Sequence, residues 1–184
     1  MSYTDFLGEK TFVLTPIFAN SVINISKAGN FTQVLTYEYS DEDGAYYLKI
    51  NEDYDFYLQE VETIKINMQK FMDSCINYVN DEKVTPKVIE ADIDFKNSRL
   101  PFFYWIIVFN GKLKTGLNVY KSDISEEKLD YNVQSIYLLE APLVPKSVES
   151  ALHYEIYEKQ RFVKYFGNKG EIVGPKEILR FEYK

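Results

Sequence analysis

The residue types that usually carry chemistry are scarce in this chain of 184 residues, which has one histidine, His153, and one cysteine, Cys75. Neither a histidine pair nor a histidine–cysteine cluster for zinc can be assembled from them. Cys75 falls on an apolar stripe of helical spacing, where a thiol without a basic neighbour stays protonated and inert. The acids Asp41, Glu42, Asp43, Glu52, Asp53 and Asp55 lack the alternating oxygen ligands and the closing glutamate of a calcium loop, so they read as a solvated edge. No Gly-x-Gly-x-x-Gly turn, phosphate loop or Gly-x-Ser-x-Gly elbow occurs, which removes the main support for dinucleotide, nucleoside triphosphate and serine-hydrolase chemistry.

The elements that would position such residues divide the chain near residues 97–100, into an acidic, tyrosine-rich region 1–97 and a second region 98–184. In the first, Thr11–Leu14 and Ser21–Ser26 are short β-type runs. Phe31–Tyr39 and Ala45–Ile50 read as a hairpin with an acidic tip. Leu58, Val61, Met68, Phe71, Met72, Cys75, Ile76 and Val79 recur at three- and four-residue steps and predict one long helix, about Leu58 to Tyr78. Val88–Phe95 predicts a strand. In the second region Phe103–Phe109, the Asn110-Gly111 turn and Lys112–Tyr120 predict a tight hairpin. Ser122–Tyr131 reads as a short polar helix or loop, Ile136–Leu139 as a strand, and Ser147–Gln160 as a helix carrying Val148, Ala151, Leu152 and Ile156 on one face. A turn at Gly167–Gly170 and a strand at Ile178–Tyr183 complete it. The expected fold class is α+β, with antiparallel sheets, one long central helix and a second half ordered ββαβα.

Composition bounds the function classes. An apolar fraction of 46% with 16% aromatics is ample for a packed interior. A net charge of -7 opposes non-specific nucleic-acid binding. The charge is uneven: residues 1–100 hold 17 acids and 9 bases, residues 101–184 hold 11 acids and 12 bases, so only the second half could tolerate nucleic acid. The start, Met1–Phe6, has an acid where a signal peptide needs bases, and the apolar stretch Phe102–Phe109 is too short to span a bilayer. With a single cysteine, these features lead to the expectation of a cytoplasmic protein that does not bind membranes. The richness in Lys, Asn, Ile and Tyr suggests an A+T-rich genome.

Two stretches carry a resemblance. Asn110-Gly111-Lys112-Leu113-Lys114-Thr115-Gly116, with Pro101-Phe102-Phe103 before it, resembles the paired strands of the GIY-YIG nuclease family. Glu149-Ser150-Ala151-Leu152-His153 is similar to a Glu-x-x-Leu-His helix in a phage-rich branch of that family. The resemblance spans residues 101–184. It implies a metal-dependent nuclease, or a catalytically degenerate module derived from one and encoded by a phage. Glu149 would bind Mg2+, Lys114 would stand in for the second tyrosine, and Lys128 is the nearest substitute for the family's arginine. Tyr104 would supply the hydroxyl that Phe103 lacks, and His153, one helical turn after Glu149, would orient the carboxylate or a water. The acidic, tyrosine-rich first half supports a rival expectation: a non-catalytic protein that self-assembles or binds a protein partner, either a virion or assembly component or an acidic inhibitor of a host defence protein.

Overall fold

The computed structural model describes residues 12–184. Two helices lie between long strands: β1 (Thr15–Ile25), β2 (Asn30–Ser40), α1 (Ala45–Glu52), α2 (Tyr54–Ser74), β3 (Ile76–Val79), β4 (Glu82–Val84), β5 (Lys87–Asn97) and β6 (Leu100–Asn110). The chain continues through β7 (Gly116–Asp123), β8 (Glu127–Lys128), β9 (Asn132–Leu139), β10 (Leu143–Glu149), β11 (His153–Tyr157), β12 (Phe162–Gly167), β13 (Ile172–Val173) and β14 (Lys176–Tyr183). A seven-stranded sheet runs in the order β11-β12-β9-β1-β2-β6-β5 and a five-stranded sheet in the order β10-β14-β7-β3-β4. Neighbouring strands of the large sheet are antiparallel except at β1 and β9, which run parallel.

One face of the large sheet is buried from β12 to β5. Ile23, Ile25, Phe31, Phe109, Tyr137, Leu139, Val163 and Tyr165 pack with Val79, Tyr120, Leu143, Val148, Leu179 and Phe181 of the small sheet. On the same face Leu35, Phe103, Trp105, Ile107, Ala91 and Ile93 pack beneath Tyr46 and Ile50 of α1 and Phe56, Ile64 and Met72 of α2. The Trp105 indole donates to the Ile64 carbonyl at 3.1 Å and fixes helix to sheet. Among the described residues, no helix is long and apolar enough to cross a membrane.

The α+β expectation, with a second half ordered ββαβα, is corrected: the protein is mostly β, and α1 and α2 are the two helices of the described residues. α2 covers most of the predicted long helix, but its buried face is Phe56, Glu60, Ile64 and Met72, while Leu58 and Phe71 are exposed. The stretch Ser147–Gln160 is not helical. It forms the end of β10 and all of β11, and the aromatic and β-branched sequence Tyr154-Glu155-Ile156-Tyr157 pairs antiparallel with β12. Ser122–Tyr131 is the end of β7, a loop and β8, anchored by the buried Leu129.

Both expected hairpins are also replaced. Phe31–Tyr39 pairs back onto β1, and Ala45–Ile50 is helical because the Asp41 carboxylate accepts the Tyr46 N–H at 2.9 Å. Tyr46 and Ile50, one turn apart, then bury on one face. Asp41 is thus a buried cap, and Asp53 caps α2 through the Phe56 N–H at 2.9 Å, whereas Glu42, Asp43, Glu52 and Asp55 are exposed. β6 and β7 belong to different sheets. Gly111 is required for close approach instead of for a turn: its N–H bonds the Gly29 carbonyl at 2.9 Å, and a Cβ on it would lie 2.5 Å from Val79 side-chain carbons. Residues 97–100 form the turn of the β5–β6 hairpin, and strands on both sides of it share the large sheet. Of the short runs expected at the start, Thr11 and the segment Met1–Phe6 lie outside the described residues, and Phe12–Leu14 precedes β1.

Candidate functional site

Of the residues singled out by the resemblance, Glu149, Lys114 and Tyr104 lie apart, whereas His153 and Lys128 both lie beside Glu171. Glu149 ends β10, with its carboxylate 2.6 Å from the Arg180 guanidinium and 3.8 Å from Lys176. Hydrogen bonding and charge from Arg180 hold its pKa below the ordinary carboxylate value. An oxygen pair already facing two cations is not the donor set of a divalent-metal site. Lys114 lies in the loop before β7, its main chain clamped by the buried Asn118, which accepts the Lys114 N–H at 2.9 Å and donates to its carbonyl at 2.7 Å. Glu149 pairs with Ile178 and Gly116 with Tyr183, so Glu149 and the Lys114 loop sit toward opposite ends of β14, separated by about 17 Å along the strand. Lys128 is exposed on β8. His153, on β11, reaches Glu171 at 3.2 Å and stacks on Phe166. Phe103 is buried beneath the helices, and Tyr104 points to the opposite face of the sheet, where its hydroxyl bonds Asp92 at 3.2 Å. Asp92 also accepts from Tyr57 at 2.6 Å, which pushes the Tyr57 phenol up to about 12. Cys75 is a partly buried C-cap of α2, bonded to the Phe71 carbonyl, and burial raises its pKa.

That opposite face of the seven-stranded sheet is the feature sequence reasoning missed. Strand alternation turns Phe18, Asn20, Val22 and Asn24 of β1 outward, with Thr32, Val34, Thr36 and Glu38 of β2 beside them. Phe102, Tyr104, Ile106 and Val108 of β6 and Asn132, Gln134, Ile136 and Leu138 of β9 complete the four central strands. None of these side chains belongs to either core cluster, and Val34 and Leu138 are exposed. Of these sixteen positions only Glu38 is charged, and it is paired with Lys96 at 2.6 Å. At strand and residue spacing they span about 500 Å² of sheet, and nine of the sixteen are apolar or aromatic. Charge returns at the margins. Glu90, Asp92 and Asp94 lie on the edge strand β5, and Lys164 and Glu155 on β12 and β11. The row through Glu155, Lys164, Ile136, Val22, Val34, Ile106 and Glu90 crosses the whole face, and from β12 to β5 it runs from a cation to an anion.

No protein-family model matches the chain, and no curated protein does. Among solved structures it is similar to a proposed protease from Parabacteroides distasonis, with a TM-score of 0.37 and 9% identity over 92% of this chain and 40% of that one. A second similarity is to an aminopeptidase N family protein from Idiomarina loihiensis, with a TM-score of 0.35 and 7% identity over 88% of this chain and 29% of that one. The chain therefore spans less than half the length of either, and likenesses this slight carry no argument about fold or activity.

Proposed function

We propose that this chain is a non-catalytic, cytoplasmic binding module that docks a protein through the face of its seven-stranded sheet that the described residues leave uncovered. The observation that carries the reading is the sixteen-residue face with one charge, rimmed by charged strands. An antiparallel sheet with one solvated side ordinarily alternates apolar inward and polar outward. Here Val22, Val34, Ile106 and Ile136 form an aliphatic centre and Phe18, Phe102 and Tyr104 add aromatic area, while polar uncharged Asn20, Thr36 and Gln134 can hydrogen-bond across a contact. A single cysteine fits a reducing compartment. The dispersal of Glu149, Lys114 and Tyr104, and the engagement of Glu149 by two cations, weigh against a shared metal centre.

The reading is tested by placing a photo-crosslinking amino acid at Val34, and separately at Glu62 on the exposed side of α2, in the cells that naturally express the protein. A discrete protein adduct at Val34 and none at Glu62 is expected. Adducts at Glu62 alone, or none at either position, would refute it.

A further inference from the structure

We infer that the occupant of the open face is a second copy of this chain, stacked face to face about a two-fold axis parallel to the strands; the inference rests on the binding reading above and specifies its partner. Such an axis between β1 and β2 reverses the strand order, so β1 covers the partner copy's β2, β9 covers its β6, and β12 covers its β5. Rows of side chains stay in register under this operation. Val22 then meets the second copy's Val34, Ile136 meets Ile106, and Lys164 meets Glu90, with each contact made twice, as an isologous interface requires. Leu138 meets Val108, Asn24 meets Thr32, Asn20 meets Thr36 and Gln134 meets Tyr104; in the row at one end Phe18 meets Glu38 and Asn132 meets Phe102, so the match in polarity holds for three of the four rows.

The overlap also forms one pair of opposite charge, Lys164 against Glu90, made twice, while Asp92 falls on Phe166. Its acids, Glu90, Asp92 and Asp94, lie on one margin and Lys164 on the other, and the operation brings the margins together. Glu155, beside Lys164 on β11, falls outside the overlap of six strands. The centre does not suffer from its one acid, since Glu38 keeps Lys96 as its partner. Six overlapping strands give roughly 700 Å² of flat area per copy, close to what a stable interface uses on each side.

The test is sedimentation equilibrium of the purified chain and its variants, each checked for folding by circular dichroism. The wild type is expected to be a dimer that weakens with salt. Lys164→Glu and Glu90→Lys should each raise the dimer dissociation constant about tenfold or more, because each reversal acts at two symmetric contacts, and the double swap should return it to within about threefold of wild type. Val34→Asp should abolish the dimer. A wild-type monomer up to about 100 μM, a dimer indifferent to Val34→Asp, or a double swap no better than the single ones would each overturn the proposal. Failure here is distinguishable from failure of the binding reading: a Val34 crosslink to a protein of different mass would sustain docking while excluding the second copy.

Discussion

The hydroxyl of Tyr165 is buried and has no hydrogen-bond partner among the described residues, and its removal is the most direct probe of the space between the two sheets. The residue is fully buried, packed 5.3 Å from the Tyr137 ring, beside a polar group formed by Tyr120, Tyr137, Glu177 and Asn77. Its neighbours are satisfied: Tyr137 donates to the Glu177 carboxyl at 2.8 Å, and Tyr120 to the Asn77 side-chain oxygen at 2.9 Å. An orphaned buried hydroxyl forgoes its bonds to water and gains none, at about 1–3 kcal/mol. Tyr165→Phe deletes that atom and keeps the ring, so it should stabilise the fold by up to that amount, minus a small loss of packing. In a chain of this size each kcal/mol raises the melting temperature by about 2–4 °C. Tyr137→Phe, by contrast, leaves Glu177 without its donor and should destabilise by about 1–3 kcal/mol. Urea denaturation followed by circular dichroism measures both. If Tyr165→Phe destabilises by more than about 1 kcal/mol, or if the two substitutions shift stability in the same direction, the reasoning about buried polar accounting fails here.

Burial raises the Glu177 pKa above its ordinary value, so the folded state holds a proton that the unfolded chain releases as pH rises through the carboxylate range. Stability is therefore lost as pH increases from that range through the folded pKa. Glu177→Gln should flatten this decline in denaturation midpoints measured across pH, and an unchanged slope would exclude Glu177 as its source. Gly29 has φ +83° and a Cβ there would collide with the Gly111 carbonyl oxygen, so Gly29→Ala should cost at least about 3 kcal/mol, measured by the same denaturation. Glu149→Ala removes an exposed ion pair. It should leave the midpoint unchanged, and neither protein should nick plasmid DNA in magnesium; nicking lost in the variant would revive a catalytic role for Glu149.

Legibility in the sequence followed where local and tertiary preferences agreed. β5, β9 and β14 are visible as β-branched and aromatic runs, whereas the three- and four-residue spacing locates α2 but, apart from Val61, Met68 and Met72, not the face it buries. The Glu149–His153 stretch misled because Val148, Leu152 and Ile156 fit a helical stripe and two paired strands equally well, and pairing with β14 and β12 decides between them. Asn110-Gly111 has the composition of a tight turn but is used where two backbones touch, a contact 82 positions apart in the chain that no local pattern encodes. The open face left a faint trace. Phe102–Phe109 is an unbroken apolar run, yet only Phe103, Trp105, Ile107 and Phe109 are covered, so the uncharged character of the alternate positions is the signal.

The parallel pairing of β1 with β9 has a consequence for synthesis. β1 lies at the middle of the large sheet, but of its two neighbours β2 follows at once, whereas β9 begins 107 residues after β1 ends. At about 5–20 residues per second, the second edge of β1 is without its mate for roughly 5–20 s of elongation. That edge belongs to an 11-residue strand without a single charge, Thr15–Ile25, and uncharged unpaired edges template association with other chains. The nascent protein thus passes through a window in which its most central strand presents an unpaired, uncharged edge until β9 arrives.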